Sequence, residues 1–252
     1  MWPWLVEGAG LLTQILLLFR GLRGGMFRRY YFFYTYITSA MLASLVMVWI
    51  ILNSPGLYGK WYWLMQISTL VTGYGILLEI MNHVLAPYPG AERCARICGI
   101  VAFGVIFCFA VLAPVVTPRW SPGTVIEFER DLRSVQSLFI CGLLALIFYY
   151  GIPIGKNMKG MVVGYGVYIV TSLMSLAVRA YAGPSFTSVW RVVQPVSLDV
   201  SLMIWLVALW SYCPNPVPDS NIPLEQDYEA LVTKTRSVIV AIRDHFRKAA
   251  RA

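Results

Sequence analysis

Five ionisable residues fall inside long apolar runs of the sequence: Glu7, Glu79, His83, Arg179 and Asp199. A charge in hydrocarbon is costly, so each is a candidate for chemistry. Glu79 and His83 stand four residues apart, which places them on one face of a helix. A hydrogen-bonded carboxylate–imidazole pair can relay protons or sense pH, because imidazole titrates near neutrality. The structural alternative is an interfacial pair facing the headgroups. Glu7, Arg179 and Asp199 each fall near the same end of their runs. Brought together, they would set two carboxylates around one guanidinium and form an outward-opening pocket for a ligand or an ion. The structural alternative there is an Arg179–Asp199 ion pair, with Glu7 reaching to water.

Missing residues narrow the chemistry further. A retinal Schiff base needs a lysine inside a helix, yet Lys60, Lys156, Lys159, Lys234 and Lys248 all fall between the apolar runs or in the tail. Bis-histidine haem needs two intramembrane histidines, and His83 alone qualifies. An intramembrane aspartyl protease needs two aspartates, and Asp199 alone qualifies. No phosphate loop, H-E-x-x-H or G-x-S-x-G occurs. Cys94 and Cys98 stand four apart with no nearby His or further Cys to complete a zinc site. No catalytic motif, metal or cofactor is therefore expected. Cys94 and Cys98 read instead as small buried residues, and the five cysteines Cys94, Cys98, Cys108, Cys141 and Cys213 support no disulfide framework.

The elements that carry these residues are membrane spans. Of the 252 residues, 58% are hydrophobic and 13% charged, where a soluble domain holds about 25% charged residues. That inventory cannot clothe a soluble surface. Apolar runs of about 20 residues suffice to span a bilayer, and the sequence predicts seven: about 2–19, 30–52, 61–84, 97–117, 134–154, 160–180 and 195–213. The expected fold is all-α, a polytopic seven-transmembrane-helix bundle over 1–214. A polar stretch from Pro118 to Arg133 is expected as a loop. Gly160 and Gly164 form a G-x-x-x-G that lets helix backbones approach, and internal packing is its preferred use. Tyr30, Tyr31, Phe32, Phe33 and Tyr34 read as an interfacial aromatic belt.

Charge sets the orientation. Arg20, Arg23, Arg28 and Arg29 follow the first run, and Arg93, Arg96, Lys156 and Lys159 fall on the same side. The positive-inside rule then puts the N-terminus outside and the tail in the cytoplasm. The net charge of +8 is read as topology, because no basic cluster interleaved with aromatics suggests nucleic acid. The tail, 215–252, carries an amphipathic helix over 224–250. Leu224, Tyr228, Leu231, Thr235, Val238, Ile242 and His245 follow a 4-3 spacing, with acids early and bases late. Such a helix suits either the anionic bilayer surface or a protein partner, including a second copy.

Seven helices with the N-terminus outside resemble, in helix count, the membrane-sensor parts of bacterial signalling proteins. The expected function is accordingly a sensor- or receptor-like module signalling through a partner. The alternatives are an accessory subunit of a membrane complex and a small transporter or channel. Short loops and the lack of glycosylation sequons point to a bacterial cytoplasmic (inner) membrane.

Overall fold

The computed structural model describes residues 2–116, 122–182, 187–217 and 223–249. Eight α-helices occur among the described residues: α1 (Trp2–Arg23), α2 (Tyr31–Asn53), α3 (Tyr58–Leu85), α4 (Pro89–Val116), α5 (Pro122–Tyr150), α6 (Lys156–Ala182), α7 (Thr187–Ala208) and α8 (Leu224–Ala249). The protein is all-helical. Four segments within these helices are long and apolar enough to cross a membrane: Tyr31–Asn53, Leu64–Leu85, Glu129–Tyr150 and Lys156–Val178. Val192–Ala208 is a shorter apolar stretch. These are the marks of an integral membrane protein.

Punctuation in the sequence sets the helix boundaries. Gly25 adopts a left-handed φ of 64° and turns the chain between α1 and α2. Gly151, at φ 61°, does the same after α5. Prolines open α4 and α5 at their first helical position, where the missing N–H costs nothing. Three helices begin eight or more residues earlier than the apolar runs suggest. Helix α4 starts at Pro89 rather than near 97, α5 at Pro122 rather than 134, and α7 at Thr187 rather than 195. The polar stretch expected as a loop is therefore largely the first turns of α5. Pro195 lies inside α7 instead of opening it.

Helix α7 packs on α6 and closes the bundle against α1, while α3 touches α2, α4, α5 and α6. The α6–α7 seam is close because of the glycines. A Cβ on Gly160 would overlap Ala208, and one on Gly164 would lie 2.7 Å from a Trp205 ring carbon. The G-x-x-x-G thus serves internal packing, as expected. Trp205 is fully buried and meets Phe33 edge-on at 5.2 Å. The aromatic belt at the start of α2 divides in two. Tyr31 and Phe32 are exposed, but Tyr30, Phe33 and Tyr34 are buried in the core, with Tyr34 stacked on Phe27 at 5.4 Å. With 3.6 residues per turn, the adjacent Tyr31 and Phe32 face outward and the next pair, Phe33 and Tyr34, inward, so a belt read as anchoring is in part core. Cys94 and Cys98, expected to be buried, are exposed, and all five cysteines are free and exposed. A thiol is a small hydrophobe, and a lipid-facing site accommodates it as well as a core does.

Polar contacts concentrate at one end of the bundle. Asn157, fully buried, donates to the carbonyls of Ala208 and Ser211 at 2.9 Å each, and its Oδ1 accepts the Cys213 N–H. Arg20 Nε donates to the Trp210 carbonyl at 2.6 Å, and Arg29 lies over the Tyr212 ring at 3.8 Å. Asn215 accepts from Gly155 N–H and donates to the His83 carbonyl. The segment after α7 is thereby pinned across the ends of α1, α3 and α6. Helix α8 starts at this same end.

Candidate functional sites

Glu79 sits six residues before the end of α3 and is 5% exposed. Its carboxylate reaches the start of α2, where Oε1 accepts the Phe32 N–H at 3.1 Å and Oε2 the Phe33 N–H at 2.8 Å. The first N–H groups of any helix lack intrahelical acceptors. Tyr30, the residue preceding α2, supplies no side-chain cap. Glu79 fills that role from a neighbouring helix and places its charge at the positive end of the helix dipole. His83 shares the face, as its spacing requires, but its Nδ1 lies 2.9 Å from the Glu79 main-chain carbonyl rather than on the carboxylate. A carbonyl only accepts, so Nδ1 carries the proton. The imidazole packs against the Tyr30 ring at 5.3 Å.

Glu7, Arg179 and Asp199 are spread over three helices. Glu7 on α1 is exposed. The side chain of Arg179 lies outside the described residues. Asp199 is half-buried on α7. Because α7 begins at Thr187, Asp199 lies about 18 Å along it at 1.5 Å per residue, close to mid-helix rather than near the end. Its Oδ1 sits over Gly10 of α1, 2.6 Å from where a Cβ would stand. The sixth and seventh helices are neighbours and the seventh meets the first, as the sequence reading required. A groove of about 500 Å³ runs between α1 and α7, lined by Val6, Ala9, Val196, Asp199, Val200 and Met203 among others. Glu7 is not part of its lining.

A polar centre that the sequence reading assigned to a loop lies inside the bundle. Glu129 and Arg133 on α5 form an ion pair at 2.9 Å, with both side chains buried. Arg133 Nε also donates to the same oxygen at 3.0 Å, and Gln66 of α3 donates to it at 2.5 Å. The guanidinium lies over the Tyr168 ring of α6 at 5.2 Å and donates to its hydroxyl at 3.4 Å. Tyr165 donates to the Gly73 carbonyl at 2.8 Å, and Tyr74 to that of Leu132 at 3.1 Å. These bonds tie α3, α5 and α6 together. A cavity of about 10 Å³ remains between Gly73, Arg133, Gln136, Tyr165 and Tyr168, room for one water. The buried Gln136 Oε1 has no partner among the described residues. The missed signal was the spacing of Glu129, Arg133 and Gln136, which share one helix face with Leu132 and Ile140.

Helix α8 is hydrogen-bonded to the bundle at its first turn. Glu225 Oε1 accepts the Gly90 N–H at 2.8 Å and so caps α4, as Glu79 caps α2. Tyr150, the last residue of α5, donates to Asp227 at 2.9 Å. Leu224 is buried, whereas Leu231, Val238, Ile239 and Ile242 are each at least half exposed. At 26 residues, α8 is about 39 Å long, so most of it stands clear of the bundle.

No metal-binding group of three or more His, Cys, Asp or Glu side chains occurs among the described residues. A further groove of about 370 Å³ between α3, α4 and α5 is apolar throughout its lining, which includes Met81, Ala95, Phe139 and Leu143. Neither family models, nor curated proteins, nor solved structures give a match to this chain.

Proposed function

We propose that the chain is a seven-helix membrane module of the sensor or receptor type, with α8 as its output element. In this reading α1–α7 cross a bacterial cytoplasmic membrane, with the N-terminus outside and α8 in the cytoplasm. The arginines at Arg20, Arg23, Arg28 and Arg29 support that orientation. The observation that carries the reading is the attachment of α8. Its first turn is bonded to the start of α4 and the end of α5, and its apolar stripe beyond is exposed. A shift of either helix end would swing a lever about 39 Å long. The stripe itself offers a partner helix the i, i+3, i+4, i+7 anchors that groove recognition uses. The Glu79 cap lies at the same end and joins α2 to α3.

A second reading is favoured by the closed polar centre. With the Glu129–Arg133 pair buried and bonded to Gln66 and Tyr168, and space for one water beside it, the interior there suits rigid packing, as in an accessory subunit of a membrane complex. The two readings separate on α8. In full-length protein purified in mild detergent, the triple change Leu231→Glu, Val238→Glu, Ile242→Glu should abolish partner retention in either case. Tyr150→Phe with Glu225→Ala, which removes both bonds of the α8 first turn but leaves its stripe intact, should leave the partner bound. A sensor would lose its signal in that latched-to-unlatched change, whereas an accessory subunit would function unaltered.

A further inference from the structure

The Asp199 carboxylate has neither a hydrogen-bond nor an ion-pair partner among the described residues. The hydroxyls nearest in sequence are turned to their own helix: Ser197 donates to the Gln194 carbonyl and Ser201 to that of Ser197, both at 2.9 Å. Unpaired carboxylates at mid-span are expensive and in general take a counter-charge. Gly10 gives the group its place, since any side chain there would collide with Oδ1. The groove around it is apolar but for this one acid, and its volume of about 500 Å³ falls in the range of small-molecule sites, roughly 300–1,000 Å³.

We propose that the groove between α1 and α7 binds a lipophilic cation, whose ammonium or other onium centre pairs with Asp199 while its apolar body lies against Val6, Val196, Val200 and Met203. Charge complementarity selects the class. A neutral lipid would leave the carboxylate unpaired, and an anion would be repelled. Depth selects it further: the acid lies near the middle of the apolar stretch Val192–Ala208, about 10 Å from its nearer end, away from a phospholipid amine held at the surface. The ligand must therefore carry its charge into the hydrocarbon, as delocalised or alkyl-shielded cations do. This inference rests on the sensor reading and gives that sensor its ligand class.

The test uses the full chain in phosphatidylcholine nanodiscs, with tetraphenylphosphonium as the probe and equilibrium dialysis as the measurement. The expected result is saturable binding of one probe per chain. Asp199→Asn should weaken it at least tenfold, and Val200→Trp, which fills the groove without touching the acid, should do the same. Triphenylphosphine oxide, neutral and of similar shape, should not distinguish the wild type from Asp199→Asn. Absence of saturable binding to the wild type, or undiminished affinity in Asp199→Asn, overturns the proposal. Should Asp199→Asn not survive purification, undiminished affinity in Val200→Trp overturns it instead. Asp199-dependent binding in a chain whose α8 retains no partner would sustain the groove and sink the output role. A retained partner without probe binding would do the reverse.

Discussion

Replacing Glu79 by alanine removes the acceptor for two helix-start N–H groups at once. Both bonds are charge-assisted and lie where Phe33 and Glu79 are almost wholly buried. A hydrogen bond to a charged group contributes about 1.5–3 kcal/mol, so the pair sums to roughly 3–6 kcal/mol before the dipole contribution of about 0.3–1 kcal/mol. In a chain of this size each kcal/mol moves Tm by about 2–4 °C. Glu79→Ala should then lower Tm by roughly 6 °C or more in thermal unfolding followed by tryptophan fluorescence in detergent. Glu79→Gln keeps one acceptor oxygen and should fall between. His83→Ala should cost far less, about 1 kcal/mol, since its imidazole bonds a carbonyl that α3 already engages. If Glu79→Ala unfolds within 2 °C of the wild type, or His83→Ala is as damaging, the capping account is wrong and the two residues act as a pair.

Other substitutions probe the remaining features. Arg133→Met alone should destabilise by about 3–5 kcal/mol, because it strands a buried carboxylate, whereas the double change Glu129→Leu, Arg133→Met should recover most of the loss; a double-mutant cycle on chemical unfolding measures both. Gly164→Val should disrupt the α6–α7 seam at Trp205, with a cost of about 1–3 kcal/mol or more, read as loss of the Trp205 fluorescence shift on folding. Asn157→Ala should free the segment after α7 by removing three bonds, and limited proteolysis should then cut between 209 and 217 faster than in the wild type.

Much of the fold is legible in the sequence because hydrophobic run length is a strong signal for a span. The tail helix shows equally well: 4-3 spacing and charge order mark 224–250, against an observed Leu224–Ala249. The polar helix starts are not legible by hydropathy. Pro122–Arg133 looks like a loop to an averaging window, yet Glu129 and Arg133 pair inside the bundle and share one helix face with Gln136. The same shift of boundary carried Asp199 from the end of its helix to the middle. Glu79 illustrates a different limit. Its i, i+4 neighbour was visible, but its actual partners are two main-chain N–H groups about 46 residues away in sequence, and no local pattern announces a cap supplied across helices.

The role of α8 is tested most directly by co-purification of the full chain and of a chain ending at Pro218, compared in mild detergent with the Leu231→Glu, Val238→Glu, Ile242→Glu variant alongside. The expected result is one stoichiometric partner, or a second copy, retained by the full chain and lost from both altered forms. Equal retention by all three, or monomeric full-length protein with no partner, would contradict the assignment of α8 as the output element.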